Sequence, residues 1–518
     1  MSLFDKLLTY YQIDLSTYRH MRRPLTYGDL PLSSNFPDLE KITKRIKLAL
    51  SKREKIMVYG DYDADGVLAT SILVDAFKKL NFEVGYYIPN RYQDGYGIHA
   101  DKVEEIAAKG YSLIITVDNG VNAHEAINKA YDHGIEVIIT DHHEILTDIP
   151  RNGGILHPFI QAQPYPMCGA VMAFILSRAL LDHVEPYHLA LATIATISDM
   201  MPLLEVNRDL VRLGFDALNQ GKYLPIARLT SNGGIIDEQI ISMEITPSIN
   251  AIGRLVENSQ INRLVKYFTS SDEAETKTLA SWIKEMNKKR RALMNSAFLE
   301  LPVVEENAKA IVYLSNELEG LIGLLANKLV NEYDVPSVVF TPDESNPAHL
   351  IGSARTPLGY DLIAAFSSLE PHMLRGGGHS NAGGLTIEVA KFEAFKQGFI
   401  NYFSSNGSAS IAPKVIDLEI SEISWDTLEL INTFAPFGQN YKAPVFMIKN
   451  IKVSSLSFIK DDRFLATPLG LDRKLLSFNI SREEVANYNH IHLIGTLKQQ
   501  TYRYKRELVF FASGFIHE

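Results

Sequence analysis

The chain has 518 residues, of which 46% are hydrophobic and 22% are charged, which is typical of a globular protein with about two to four domains. Its formal net charge of -10 argues against a uniformly basic nucleic-acid-binding protein, although local basic surfaces are not excluded. A single cysteine, Cys168, excludes intrachain disulfides and multi-cysteine zinc sites. Because no secretory leader or membrane-spanning apolar run is apparent, we expect a cytoplasmic protein that does not enter a membrane.

The N-terminal part of the chain alternates short apolar runs with amphipathic segments. In chain order we predict strand 55–60, helix 66–80, strand 82–88, helix 101–109, strand 112–117, helix 123–133 and strand 135–140. Such an alternation indicates a parallel sheet covered by helices, which is an α/β fold class.

The later segments predict further domains. Residues 169–220 are predicted to be mostly helical, and 272–300 lack Gly and Pro and are predicted to form one long helix that connects domains. Strand and helix patterns over 309–400 indicate a smaller α/β domain, and the Ser- and Gly-rich segment 404–413 is typical of a linker. After it the pattern is one of strands alone, which favours a small β-barrel or sandwich.

The segment GDYDADG places Asp61, Asp63 and Asp65 at alternate positions after the first predicted strand. Carboxylates this close disfavour one another's ionisation, so the cluster requires bound cations or full solvation. An EF-hand calcium loop is excluded because Ile72 occupies the twelfth position, where a bidentate Glu is required, and because a strand precedes the loop. A metal site and a solvated turn are the remaining interpretations.

Two other predicted strands also end on polar residues. VDNG places Asp118 after one strand, and TDHH places Asp141, His142 and His143 after the next. Because ligands bind beyond the carboxyl ends of parallel strands, we expect these residues to converge with the acidic segment. Asp199 lies between apolar residues and needs a partner. Carboxylates with imidazole suit Mn²⁺ or Mg²⁺, and two such ions about 3.5–4 Å apart suit phosphoryl transfer.

The segments GDYDADG, IPNRYQDGYGIH, VDNG, TDHH and ISDMMPL, in this order and spacing, resemble the DHH phosphoesterase superfamily. PSINAIGR, GSAR and GGGHSNAGGL resemble its RecJ branch and the DHHA1 domain, and APFGQNYKAPVF leads into a segment similar to the OB-fold of that branch. The resemblance implies five regions: an N-terminal extension (1–45), a DHH catalytic domain (46–220), a helical linker region (221–300), a DHHA1 domain (301–400) and an OB-fold nucleic-acid-binding domain (401–518).

The resemblance also implies a site for two ions, Mn²⁺ or Mg²⁺. One ion would be held by Asp65, Asp118, His142 and Asp199. The other would be held by Asp63 and Asp118, with Asp61 close by, so that Asp118 bridges the ions. His143 would meet the scissile phosphate, and His143, Asp118 and Asp61 are therefore the expected catalytic residues.

Phosphate and base contacts are expected outside the metal site. The resemblance places Arg254, Arg355 and His379 against phosphates, and arginine suits this role through its fork of donors. The glycines around Gly378 either turn N–H groups toward an anion or form a flexible turn. Arg91 and Tyr96 suit a backbone phosphate and a stacked base, although tyrosines at a sheet edge often serve packing.

Two basic segments are candidates for a longer DNA track. TYRYKRE, with Tyr502 and Arg503, has the composition of a surface that binds single strands. NKKRRALMNS contains four adjacent cations, and the alternative interpretation is a solvated helix face: Lys288, Lys289, Arg290 and Arg291.

The RecJ resemblance implies a 5′-to-3′ exonuclease that hydrolyses single-stranded DNA to mononucleotides in recombination and repair. A helicase or a single-strand-binding protein would be the expected partner. Two alternatives remain. A phosphodiesterase for oligonucleotides or cyclic dinucleotides would not need the C-terminal domain, and a catalytically silent nucleic-acid-binding scaffold would not need an intact carboxylate cluster.

Overall fold

The computed structural model describes residues 1–517 except 32–34, 93, 232–233, 257–258, 302–303, 306, 408–413 and 503–504, and it describes no side chain at 259, 501, 502 or 505. The chain forms two compact units: Pro31–Asp199 with Gly214–Ile411, and Met1–Leu30 with Met200–Leu213 and Ala412–Glu518. None of the helices in the described ranges combines the length and the hydropathy needed to span a bilayer.

The first part of the chain contains a parallel sheet. Its elements, preceded by two short N-terminal helices, are α1 (Leu3–Tyr11), α2 (Leu15–Met21), α3 (Leu39–Lys52), β1 (Ile56–Tyr59), α4 (Ala64–Lys79), β2 (Gly85–Tyr87), α5 (Ala100–Ala108), β3 (Leu113–Val117), α6 (His124–Asp132), β4 (Glu136–Thr140), β5 (Gly154–Leu156), α7 (Gly169–Leu181) and α8 (Pro186–Ser198). The sheet order is β2-β1-β3-β4-β5, and every pair is parallel.

The predicted α/β alternation is confirmed in this sheet. All residues of β1 and β3 are buried, as expected for central strands covered on both faces. Two details differ from the sequence prediction. Helix α4 begins at Ala64 because Asp63 caps it, so Asp65 lies in the first helical turn. Strand β5, only three residues long, was not predicted because it is too short to show a period.

The middle of the chain is helical and then forms a mixed sheet. Its elements are α9 (Glu205–Gly221), α10 (Leu224–Ala227), α11 (Glu238–Ile240), α12 (Thr246–Leu255), α13 (Arg263–Thr269), α14 (Glu273–Leu299), β6 (Ile311–Leu314), α15 (Glu319–Tyr333), β7 (Ser337–Pro342), β8 (His349–Arg355), α16 (Leu362–Leu369), β9 (Arg375–His379), β10 (Ala382–Glu388) and α17 (Phe392–Ser405). The sheet order is β6-β7-β8-β10-β9. The predicted long helix is confirmed, since α14 has 27 residues.

The glycine-rich segment GGGHSNAGG forms the hairpin β9–β10. Gly378 pairs with Gly383 and has a φ of +143°, which disfavours other residues. A Cβ at Gly378 would lie 2.3 Å from the carbonyl oxygen of Ala382. These glycines therefore let two strands approach closely.

The C-terminal part forms a seven-stranded, mostly antiparallel sheet in the order β11-β12-β16-β17-β15-β14-β13. Its elements are β11 (Ile416–Asp417), α18 (Trp425–Asn432), β12 (Phe446–Lys452), β13 (Phe458–Ile459), β14 (Phe464–Pro468), β15 (Arg473–Ser477), α19 (Arg482–Val485), β16 (His490–Tyr502) and β17 (Lys505–Ile516). The prediction of strands alone is wrong in one respect: α18 forms here, with the Ser424 side chain accepting the N–H of Thr427 as its cap.

The N-terminal helix α1 belongs to this C-terminal unit. Leu7 is fully buried and packs in the same core as Phe434, Phe446 and Phe510. The predicted linker 404–413 begins within α17, and its residues 408–413 lie outside the described part of the chain. The domain boundaries inferred from the sequence stay a prediction.

Candidate active site

The polar strand ends meet at the point where the strand order reverses. In the order β2-β1-β3-β4-β5, the chain leaves β1 and β3 toward opposite sides, which opens a crevice at their carboxyl ends. The register pairs Tyr59 with Thr116 and Val117 with Thr140. The residues that follow these strands, from Asp61, Asp118 and Asp141 onward, are therefore neighbours.

The acidic segment is held at the N-terminus of α4. The Asp63 carboxylate accepts the N–H of Gly66 at 3.1 Å, and Asp65 lies in the first turn, where the helix dipole favours negative charge. A Cβ at Gly66 would lie 2.6 Å from the carbonyl oxygen of Asp61. The glycine thus permits the tight turn that brings the three carboxylates together.

Asp65 is oriented by a second helix N-terminus. Its two carboxylate oxygens accept the N–H groups of Gly169 at 2.6 Å and Ala170 at 2.8 Å, at the start of α7. A Cβ at Gly169 would lie 2.7 Å from Cβ of Asp118. Gly169 is a positioning residue that the sequence analysis missed, and a glycine opening an apolar helical segment was the signal available.

Carboxylates and imidazoles converge in overlapping groups. Nε2 of His142 lies 3.0 Å from Oδ1 of Asp118, 3.6 Å from Oδ2 of Asp65 and 3.7 Å from Oδ2 of Asp199. Ligand atoms of Asp61, Asp63 and Asp118 form another group within 4.8 Å. Asp118, which adopts a left-handed φ of 63°, takes part in both, as a bridging ligand would.

The charge state of this cluster fits a divalent cation. Among the described residues, Asp61 Oδ1, Asp118 Oδ1 and Asp199 Oδ2 are buried without a hydrogen-bond partner. Burial and then neighbouring carboxylates raise the pKa of Asp61 and Asp118 well above the usual range and that of Asp199 to about 9. Burial lowers the pKa of His142, which leaves a neutral ring able to coordinate a metal.

Asp141 and His143 form a pair beside this cluster. Nδ1 of His143 lies 2.8 Å from Oδ1 of Asp141. Burial opposes both charges, but the pair interaction prevails and sets the pKa of Asp141 to about 2 and that of His143 to about 9. His157, which the sequence analysis did not single out, donates from Nε2 to the carbonyl oxygen of His143 at 2.9 Å. His143 is thus charged at neutral pH and fixed from two sides.

The Tyr96 hydroxyl contacts two of the expected catalytic residues, His143 and Asp118. Its hydroxyl lies 2.9 Å from Nδ1 of His143 and 3.1 Å from the carbonyl oxygen of Asp118. Its side chain remains 47% exposed, so a stacking surface is also present. The structure therefore adds a positioning role to the base-stacking role expected from the sequence.

Guanidinium groups gather next to the acidic segment. Arg91 stacks over the ring of Tyr62 at 4.2 Å, and Tyr62 separates Asp61 from Asp63. The helix carrying Arg254 lies against the same segment, since a Cβ at Gly253 would lie 2.4 Å from the Tyr62 carbonyl oxygen. Burial and then nearby arginines lower the pKa of Arg254 to about 10. Clustered guanidinium groups of this kind make a candidate anion site.

Arg355 ends β8, where its Nη1 atom donates to Ser353 Oγ at 3.1 Å and to the carbonyl oxygen of Ala354 at 2.7 Å. Gly323 leaves room for it, since a Cβ there would lie 3.1 Å from an Arg355 nitrogen. Gly378 and His379 lie on the exposed edge strand β9. Their phosphate contacts stay predictions.

The structure describes only part of the TYRYKRE segment, which is the predicted DNA track of the C-terminal unit. Tyr502 ends β16, but its side chain lies outside the described part, and so does Arg503. Both residues stay predictions.

Comparison with known proteins gives three successive family matches. The DHH family, N-terminal domain, matches residues 55–197; the DHHA1 domain matches 307–405; and the RecJ OB domain matches 416–513. The chain is therefore RecJ-like, with a DHH domain, a DHHA1 domain and a RecJ OB domain in this order. This RecJ-like chain is similar to the single-stranded-DNA-specific exonuclease RecJ of Bacillus subtilis, with 32% identity over 80% of the chain and 54% of that protein. It therefore spans about half the length of that relative.

Other relatives and solved structures agree with these matches. The RecJ exonuclease of Dickeya dadantii is 29% identical over 77% of this RecJ-like chain and 76% of that protein. A RecJ exonuclease structure bound to manganese is 29% identical, with a TM-score of 0.61, over 74% of this chain and 96% of that one. The Thermus thermophilus RecJ complex with Mn²⁺ has a TM-score of 0.82 at 24% identity over 99% of this chain and 78% of that one, which establishes a common fold.

Proposed function

We propose that this chain is a metal-dependent 5′-to-3′ exonuclease that hydrolyses single-stranded DNA to mononucleotides. The observation that carries the proposal is the proximity of two clusters of like charge, the buried carboxylates around His142 and the guanidinium groups of Arg91 and Arg254. Divalent cations compensate the first cluster and phosphates the second, so a metal-held phosphodiester suits both. The names of the relatives and the manganese-bound RecJ structure support the substrate and the metal.

In this proposal Asp65, Asp118, His142 and Asp199 hold one ion, and Asp63 with Asp118 holds the other, beside Asp61. Bound Mn²⁺ or Mg²⁺ supplies Lewis acidity and charge neutralisation at the reacting phosphate. The Gly169 and Ala170 N–H groups keep both Asp65 oxygens in a fixed orientation.

His143 donates to an oxygen of the scissile phosphate, because Asp141 keeps its imidazole protonated at neutral pH. Arg254 and Arg355 hold neighbouring phosphates, which fixes the bond to be cleaved relative to His143. His143 and Arg355 are already held by contacts within the protein, so these two groups need little reorganisation when the substrate binds.

The RecJ resemblance supplies three parts of this proposal: the 5′ polarity, the mononucleotide products and a role in recombination and repair. A cytoplasmic site of action and delivery of the strand by a helicase or a single-strand-binding protein are further parts of it. The RecJ OB match over 416–513 supports a DNA surface beyond the catalytic crevice. A phosphodiesterase for short oligonucleotides would have no use for that domain.

The test is a Mn²⁺-dependent degradation assay on a 5′-labelled single strand, a 3′-labelled copy, the 5′-labelled duplex and a 5′-labelled dinucleotide. We expect immediate release of labelled mononucleotide from the 5′-labelled strand, gradual shortening of the 3′-labelled strand and no cleavage of the duplex. Cleavage of the dinucleotide alone would replace the proposal with a small-substrate phosphodiesterase. DNA binding without cleavage would indicate a silent scaffold.

Asp118→Ala tests the site within the same assay. Removing the shared ligand should abolish cleavage and leave DNA binding largely intact, because the arginines remain. Asp132→Ala, an exposed aspartate at the end of α6, is the matched control and should cleave normally. Cleavage by a folded Asp118→Ala protein, with folding checked by circular dichroism, would contradict the two-ion site.

A further inference from the structure

One of the four cations in the basic segment of α14 differs from the others. Lys288, Lys289 and Arg291 are exposed, whereas Arg290 is partly buried. Nε and Nη2 of Arg290 donate to the same oxygen, Oδ1 of Asn287, at 3.1 and 2.9 Å. One edge of the guanidinium is therefore held by the protein, and Nη1 carries hydrogens for another acceptor.

Asn287 is itself fixed by a neighbouring helix. It is buried, and its Nδ2 atom donates to Oγ of Ser248 at 3.1 Å. Ser248 in turn donates to the carbonyl oxygen of Glu244 at 2.6 Å. Because Nδ2 is engaged by Ser248 on α12, the amide must present its oxygen to Arg290. The chain of bonds ties Arg290 to the helix that also carries Arg254.

Arg290 lies within the positive field of the anion site. Burial and then the charges of Arg91, Arg290 and Arg355 lower the pKa of Arg254 to about 10. Within the described residues, the arginine ion pairs involve other guanidinium groups and none of these four. Arg290 is thus held near other cations, and no described carboxylate forms an ion pair with it. This arrangement suits an anion that comes from outside the protein.

We propose that Arg290, positioned by Asn287, binds a phosphate of the substrate backbone together with Arg254 and Arg355. The inference rests on the proposed nuclease function and adds two residues of α14 to its substrate site. Arg290 touches the phosphate, and Asn287 acts through Arg290. The fixed edge of the fork directs the remaining N–H groups to one place, as recognition of phosphate oxygens requires. The rest of the basic segment is a solvated helix face.

The first test compares Arg290→Ala with Lys284→Ala, an exposed residue of the same helix whose loss removes the same charge. For Arg290→Ala we expect the KM for a long single strand to rise about tenfold or more. Its binding, measured in the Asp118→Ala background to prevent cleavage, should show a slope of log affinity against log salt that is smaller by about 0.7. Lys284→Ala should match the wild type in both measurements.

Two Asn287 variants distinguish the effect of the Arg290 charge from the effect of its orientation. Asn287→Ala keeps the cation but frees it, so KM should rise while the salt slope stays unchanged. Asn287→Asp neutralises Arg290 and should reduce the slope as Arg290→Ala does. Arg290→Lys should restore the slope without restoring KM, because lysine lacks the fork.

If Arg290 had only a structural role, its replacement would lower the Tm and leave the salt slope of every folded variant at the wild-type value. That result would overturn the inference. Wild-type KM and slope in Arg290→Ala would overturn it as well. If Arg290→Ala does not fold, Arg290→Lys and Asn287→Asp give the same comparison. Failure of the wild-type protein to cleave single-stranded DNA is a different result, since it rejects the proposed function itself.

Discussion

Oδ1 of Asp141 lies 2.8 Å from Nδ1 of His143 and also accepts the backbone N–H of His142 at 2.7 Å. The other oxygen of Asp141 accepts the N–H of Val121 at 2.8 Å. One carboxylate thus fixes the loop after β4 and sets the charge of His143, although Asp141 belongs to neither proposed ligand set. In the proposed function, His142 binds the metal and His143 the phosphate, and Asp141 positions both by holding the backbone between them.

We predict that Asp141→Asn lowers the rate of DNA cleavage by about 10–100-fold, the usual effect of removing a residue that orients a site. Loss of the carboxylate also lowers the pKa of His143 from about 9, so the alkaline limb of the kcat/KM profile should move to lower pH. The exposed Asp148→Asn is the control and should retain the wild-type profile. An unmoved alkaline limb in Asp141→Asn would show that His143 does not act as an acid.

Tyr96→Phe distinguishes the two roles of this ring. It removes the hydroxyl from His143 and from the Asp118 carbonyl but keeps the stacking surface. We expect kcat to fall about tenfold with little change in KM, since one hydrogen bond to a charged group is lost. Tyr96→Ala should raise KM as well if a base stacks there. Full activity of Tyr96→Phe would leave stacking as the role of Tyr96.

Gly169→Ala tests the contact between α7 and the acidic cluster. The new methyl group would lie 2.7 Å from Cβ of Asp118 and 2.8 Å from its Oδ1, so Asp118 must move. We expect loss of cleavage, weaker Mn²⁺ binding by titration calorimetry and a stability loss of about 1–3 kcal/mol. Gly514→Ala meets no atom within 4 Å and should behave as the wild type. Normal Mn²⁺ affinity in Gly169→Ala would contradict this geometry.

Metal removal should make stability depend on pH. A carboxyl group whose folded pKa is raised stabilises the protein fully below its unfolded value near 4 and loses this contribution as pH rises toward the folded value, about 9 for Asp199. The Tm of the EDTA-treated protein should therefore fall between pH 5 and pH 8. Added Mn²⁺ should raise the Tm and largely remove the decline, and an equal decline with and without Mn²⁺ would argue against metal binding at these carboxylates.

The sequence predicted the parallel sheet and much of the acidic cluster because both depend on local patterns. Buried runs such as β1 and β3 identify central strands, and the carboxyl ends of parallel strands must share one edge. Asp61, Asp118 and His142 could therefore be placed together from the chain order alone. The long helix α14 was equally predictable, since its sequence contains no Gly or Pro that would interrupt a helix.

The C-terminal region was harder to predict from the sequence, because short strands and one-turn helices give only a weak hydrophobic periodicity. Helix α18 depends on the cap at Ser424, and the N-terminal helix α1 packs through Leu7 into a core built from residues more than four hundred positions away. No local pattern reports such a pairing. The hairpin form of GGGHSNAGG was decided by strand pairing, since glycine permits both a turn and close strands.

By itself, the sequence determined the α/β domains and the strand ends that carry the acidic cluster, since these follow from patterns along the chain, and its motifs carried the resemblance to the DHH family. The tertiary structure alone decided which groups orient that chemistry. The bond from Gly169 to Asp65 joins residues 104 positions apart, and Arg290 was singled out from its basic neighbours by the bonds through Asn287 to Ser248. Such contacts depend on how helices pack across the fold, and periodicity describes only the face that each helix buries.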